Sequence, residues 1–143
     1  MVVKNKVNIK SLLLNFITLK GNKFKSEKLL DTSLRELQKS TSKNSKSILK
    51  LSLRNISPIV DTIKIKRRKT VTLVPFFLKK DKRLSHAIKL IIKNSKSNNS
   101  KFSFGLSKEV IDSSNNKGFV KNKVINLHST SFVNKTFSHF RWF

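Results

Sequence analysis

The sequence predicts a mainly α-helical bundle of about six helices, with one β-hairpin arm protruding between the third and fourth helices. Three observations predict it. Apolar residues recur at i, i+3, i+4 and i+7 through most of the chain, the stripe of a helix with one buried face. The period switches to strict alternation at Ile63-Lys64-Ile65-Lys66 and at Thr70-Val71-Thr72-Leu73, the pattern of paired strands. The order is helices, hairpin, helices, with no strand–helix–strand alternation, which excludes a parallel sheet built from crossover helices. A length of 143 residues matches a single domain, residues 1–143, with a basic amino-terminal arm over 1–8.

The elements follow in order. Ile9, Leu12, Leu13, Phe16 and Ile17 form the stripe of a first helix over 8–19, with Asn8 as its cap. Lys20-Gly21-Asn22 reads as a stop and turn. Leu30, Leu34 and Leu37 mark a second helix over 26–38, and the polar residues 39–47 read as a loop. Leu49, Leu53 and Ile56 mark a third helix, ended by Ser57-Pro58. Residues 59–78 form the hairpin arm, with Pro75 near a strand end. Its turn has no Gly or Asn to supply positive φ, so a loop longer than two residues is expected.

Asp81 is the expected cap of a fourth helix to about Lys93, striped by Leu84, Ala87, Ile88, Ile91 and Ile92. Residues 94–101 read as a second polar loop, and Leu106, Val110 and Ile111 mark a fifth helix. Gly118 is expected to supply the left-handed residue that terminates it. Val120, Val124, Leu127 and Ser131 keep helical intervals in a last segment, 120–140.

Composition narrows the chemistry. Leu, Ile, Val and Phe supply 50 of 143 residues, enough to fold. Against 7 acids stand 32 Lys and Arg, a formal net charge of +25 that repels itself in a compact state. A polyanionic partner resolves this, with nucleic acid first and an anionic membrane surface a distant second. Cysteine is absent, which excludes disulfides, thiolate metal sites and cysteine nucleophiles. His86, His128 and His139 are scattered and more simply pack or hydrogen-bond, and the three glycines stand alone, so neither an active site nor a phosphate loop is indicated. No enzyme, cofactor or metal is expected. Ala87 is the only alanine, and Lys, Asn and Ser abound, the bias of an AT-rich genome such as an organelle's.

The cations gather in four patches almost free of acids. The amino-terminal one holds Lys4, Lys6, Lys10, Lys20, Lys23 and Lys25; the hairpin tip holds Lys64, Lys66, Arg67, Arg68 and Lys69. Lys79, Lys80, Lys82 and Arg83 surround Asp81, and Lys117, Lys121, Lys123, Lys135 and Arg141 occupy the carboxy-terminal part. These residues are the candidate phosphate contacts, and the lysine excess favours point-charge contacts over bidentate arginine forks. Trp142, beside Arg141, is a candidate for stacking on a base, whereas Phe76, Phe77, Phe102, Phe104 and Phe119 are expected as core or loop anchors.

The stretch Asn134-Lys135-Thr136-Phe137-Ser138-His139-Phe140-Arg141-Trp142 closely resembles the Asn-Lys-x-Phe-x-His-Tyr/Phe-Arg-Trp motif of the small ribosomal subunit protein seven family. Asn116-Lys117-Gly118 and His128, at their distance from it, also agree. So do Asn55-Ile56-Ser57-Pro58, Val74-Pro75, Arg83-Leu84-Ser85-His86-Ala87-Ile88, Gly21 and Glu27. The resemblance covers residues 10–142. It implies a helical bundle with a β-ribbon arm that binds the 3′ major domain of small-subunit rRNA and supports assembly of the subunit head. It further implies neighbouring head proteins as partners, with mRNA and exit-site tRNA nearby, and adds His139 to the candidate RNA contacts.

Two departures stand out. The family turn usually carries Gly-Gly where Arg68-Lys69 stand here, and bacterial members continue beyond the final motif. The ending resembles mitochondrial members, so an organelle-encoded mitochondrial ribosomal protein is expected ahead of a plastid one. Neither membrane attachment nor a free homo-oligomer is expected. The competing reading is an architectural basic DNA-binding protein of an organelle nucleoid, gripping duplex with its arm.

Overall fold

A computed structural model describes residues 8–97 and 100–140. Its elements run α1 (Ile9–Ile17), α2 (Lys23–Thr41), α3 (Ser45–Ile56), β1 (Val60–Arg67), β2 (Thr70–Phe77), α4 (Lys80–Ser97), α5 (Phe102–Ser114) and α6 (Phe119–Val133). A 3-10 helix, Lys135–His139, follows. The six helices and the single antiparallel hairpin between α3 and α4 agree with the fold class expected from periodicity. The expected amino-terminal arm lies almost wholly outside the described residues.

One apolar core joins all six helices. Leu13, Leu30, Leu37, Leu53, Ile56, Ile88, Ile91, Leu106, Val110, Val120 and Val124 are buried in it. Each such side chain contributes about 1.5–3 kcal/mol on leaving water. Helix α5 packs against α2, α3, α4 and α6 and so sits at the centre. Close helix contacts call for small residues, and with only one alanine this chain uses serine. Ser26, Ser33, Ser52, Ser95, Ser107, Ser113 and Ser131 are all buried. Each hydroxyl donates to a carbonyl three or four residues earlier in its own helix, for example Ser95 Oγ to Ile91 O at 2.8 Å. Satisfied in this way, a serine presents to its neighbour a surface close to alanine's.

The helix starts at Asn8 and Asn44 are capped as their chemistry dictates, each Oδ1 accepting the N–H two residues on, from Lys10 and Lys46. Both expected polar loops are shorter than composition indicated. Helix α2 continues to Thr41, stops at left-handed Ser42 (φ 53°), and leaves only residues 42–44 before α3. Helix α4 continues to Ser97, because Asn94 and Ser95 are buried rather than solvated. Gly105 of α5 permits that approach, since a Cβ there would stand 3.1 Å from the Ser95 carbonyl oxygen. Two capping expectations also change. Helix α4 starts from the Lys79 carbonyl, which accepts the Arg83 N–H, so Asp81 sits in the first turn instead of capping it. The left-handed residue after α5 is Asn116 (φ 58°), while Gly118 (φ 94°) begins α6.

The arm is an eight-pair ladder from Val60↔Phe77 to Arg67↔Thr70. Only Arg68 and Lys69 remain for the turn, which corrects the expected longer loop. Arg68 adopts φ 50°, a conformation usually left to glycine. The register explains why two residues suffice. Ile63 pairs with Val74, which is fully buried, and slipping by one residue would turn that face to water. Holding this register outweighs the roughly 1–2 kcal/mol cost of a left-handed non-glycine residue. Replacing Arg68 with Gly removes that cost, offset in part by unfolded-chain entropy. Arg68→Gly is therefore expected to stabilise the arm by about 0.5–1 kcal/mol, seen as slower amide exchange across β1 and β2. Unchanged or faster exchange would show that the turn stores no strain.

Candidate nucleic-acid interface

The placement of the carboxylates decides which cations are free to act. Glu36 accepts from the hydroxyls of Ser103 (3.2 Å) and Ser107 (3.4 Å), which ties α2 to α5. Asp61 accepts from the Thr62 N–H and faces His86 Nε2 at 3.4 Å, fixing β1 to α4. Glu109 is buried and Asp112 lies beneath Gly118. Among the described residues, Asp31 alone pairs with a lysine, Lys10, at 2.9 Å. Three of the seven acids, Asp31, Glu36 and Asp61, thus join elements, and most of the described cations have no carboxylate partner.

The arm separates a packed root from a charged tip. β1 packs on α6 and β2 on the 3-10 helix, burying Val74 and Pro75. Towards the turn, Lys64, Lys66, Arg68 and Lys69 are exposed, and Arg67 closes β1. Lys64 and Lys66 share one face of the ribbon, opposite the Ile63 and Ile65 face, because side chains alternate along a strand.

A second cationic region lies where α3 meets the start of α4. An open cleft of about 450 Å³ is floored by Ile9, Leu53 and Leu84 and flanked by Lys50, Arg54, Lys80 and Arg83. No acid lines it. Four basic residues at 79–83 also crowd the positive end of the α4 dipole, where only Asp81 has the favourable sign. The arrangement is costly in isolation and suits a bound anion. Sequence reasoning found Lys80 and Arg83 but missed Lys50 and Arg54. The available signal was the four-residue spacing of Lys46, Lys50 and Arg54, which puts them on one helical face.

The remaining candidates do not form one surface. Lys20, Lys23 and Lys25 are exposed around the α1–α2 turn, and Lys79 and Lys82 at the start of α4. Arg83 donates from Nε to the Leu78 carbonyl at 2.9 Å, so part of its fork is already engaged. Lys121 donates from Nζ to the Asn55 carbonyl at 2.9 Å and acts as a strut between α6 and α3. Lys123 and Lys135 lie over the rings of Phe119 and Phe132, at 4.3 and 4.8 Å from their centroids. Lys117 is exposed, and His139, also exposed, lies 4.2 Å from the Phe140 ring centroid. His128 accepts the Ile59 N–H at 3.3 Å. Lys4, Lys6, Arg141 and Trp142 lie outside the described residues. The expected aromatic anchors divide: Phe102 packs against the core, but Phe77, Phe104 and Phe119 are exposed.

Residues 2–135 match the family model described as ribosomal protein S7p/S5e. The chain belongs to this family. Similar proteins include small ribosomal subunit protein uS7 of Wigglesworthia glossinidia brevipalpis, 31% identical over 94% of this chain and 86% of that one. Protein uS7m of Reclinomonas americana is 30% identical over 94% of this chain and 86% of its own. Protein uS7c of Euglena gracilis is 31% identical over 92% and 85%. The stretch matched by the family model ends at residue 135 and so spans the bundle and arm.

For this S7p/S5e family member the geometry separates cations gathered in an open cleft from a lysine engaged in internal support. Lys50→Glu with Arg54→Glu is expected to weaken binding of a small-subunit rRNA fragment at least about tenfold, with the helical circular dichroism spectrum unchanged. Lys121→Met should do the reverse, lowering stability by about 1 kcal/mol with little change in affinity. Equal affinity losses in the two variants would show that the cleft is not a preferred contact.

Proposed function

We propose that this chain is a structural, non-catalytic component of the small ribosomal subunit that binds the 3′ major domain of small-subunit rRNA and supports assembly of the subunit head. The observation that carries the reading is the distribution of unpaired cations over several elements, the arm tip, the α3–α4 cleft and the α1–α2 turn, in a member of the S7p/S5e family. Cations on several sides suit a protein enclosed by converging RNA helices better than one laid in a single groove. Their work is electrostatic: lysines replace condensed counterions on the phosphates, and release of those counterions drives association. The resident partners are the rRNA and neighbouring head proteins, with mRNA and exit-site tRNA near the arm. The Lys-, Asn- and Ser-rich, alanine-poor composition supports a mitochondrial ribosome and an organelle gene.

With about ten phosphates engaged, the logarithm of affinity should fall with the logarithm of salt at a slope of roughly −7 to −9. A filter-binding titration on the 3′ major domain fragment measures it, and a slope near zero would reject the mechanism. The arm carries a separate expectation. Reversing the charges of Lys66, Arg67 and Arg68 should leave head assembly on sucrose gradients nearly intact while reducing the polysome fraction. Normal polysomes in that variant would count against an active arm.

A further inference from the structure

The longest run of this chain without Lys, Arg, Asp or Glu is residues 124–134. It forms most of α6, whose inward face holds Val120, Val124 and Ser131. Its outward face is uncharged as well: between the polar Asn122, Asn126, Ser129 and Thr130 stand Ile125, Phe132 and Val133, 53%, 69% and 77% exposed. A surface helix ordinarily turns charge to water on that side. A second uncharged run, 70–78, supplies β2, and its Phe77 shares with Phe132 a cleft of about 380 Å³ at the arm root. Ile59, held by its N–H to His128, extends the surface, because Ile125, His128 and Phe132 follow one another at three- and four-residue spacing.

The charges around this patch argue for its occupant. The lysines flanking the uncharged run lie over phenylalanine rings, Lys123 over Phe119 and Lys135 over Phe132. These two keep their charge, and Lys135 also lines the cleft, but residues 124–134 between them carry none. A phosphate backbone crossing the patch would therefore meet cations only at its edges, unlike one at the arm tip or the α3–α4 cleft. A second copy of this chain would set +25 against +25. An apolar protein segment needs no countercharge and gains from covering exposed aromatic and aliphatic area. We propose that the patch formed by Ile125, Phe132 and Val133, edged by Phe77 and Ile59, docks an apolar segment of a neighbouring small-subunit protein. The proposal rests on the reading of this chain as a subunit component.

The test places a photoreactive benzophenone amino acid at position 125 or 132 of the full chain, and in parallel at position 50. Each chain is assembled into small subunits that are purified, washed in high salt and irradiated. Positions 125 and 132 are expected to yield a protease-sensitive adduct with the same single ribosomal protein, identified by peptide mass. The double variant Ile125→Ser, Phe132→Ser should reduce retention of that protein by about tenfold, a common loss on truncating an interface aromatic. An adduct to RNA, to a second copy or to another part of this chain overturns the proposal, as does no adduct. Position 50 reports separately: an RNA adduct there upholds the subunit reading whatever position 132 shows. A chain that does not sediment with small subunits removes both.

Discussion

Uncompensated positive charge is the constraint on which the rest of this structure depends. With 32 cations against 7 acids, ion pairs can contribute little to holding the helices together, and three of the carboxylates, Asp31, Glu36 and Asp61, join elements. Glu36 gathers two α5 hydroxyls and Asp61 fixes β1 to α4. Cohesion comes instead from a neutral core of leucine, isoleucine and valine. Most buried polar positions are serines, each hydrogen-bonded within its own helix, and two of them, Ser26 and Ser107, also reach Thr18 and Glu36 across a helix interface. Repulsion is left at the surface, where a polyanion would relieve it.

That division produces two kinds of surface. One is cationic and spread over the arm tip, the α1–α2 turn and the α3–α4 cleft; the other carries few charges and is confined to the outer face of α6 and the arm root. The arm connects them. Its root is fixed by burial of Val74 and Pro75, and its tip is free of such packing, so charge is carried outward on a ribbon whose register the core sets. Several residues that resemble binding groups in sequence are structural in space: Lys121 braces α3 against α6, and His128 holds Ile59 at the start of the arm.

The helices with strong apolar stripes, α1, α3 and α4, were legible because periodicity reports which face leaves water, and the alternation at 63–66 and 70–73 reported the arm in the same way. Their ends were less legible. Asn94 and Ser95 carry loop-like local chemistry, yet α4 runs through them because Gly105 lets α5 approach and bury them. The turn at Arg68-Lys69 likewise obeys the paired strands rather than its own preference. Local propensity is worth a fraction of a kcal/mol per residue, and packing outweighs it.

The sequence by itself determined the fold class, the polyanionic nature of the partner and, through its spaced motifs, the family resemblance. These are sums and periods along one chain, insensitive to which distant residues meet. Tertiary structure alone decided which cations act together. Lys50 and Arg54 join Lys80 and Arg83 only because α3 and α4 pack side by side, and Lys121 is withdrawn from the surface by a carbonyl 66 residues away in sequence. Composition counts charges, whereas the fold decides which of them share a space and which are already engaged.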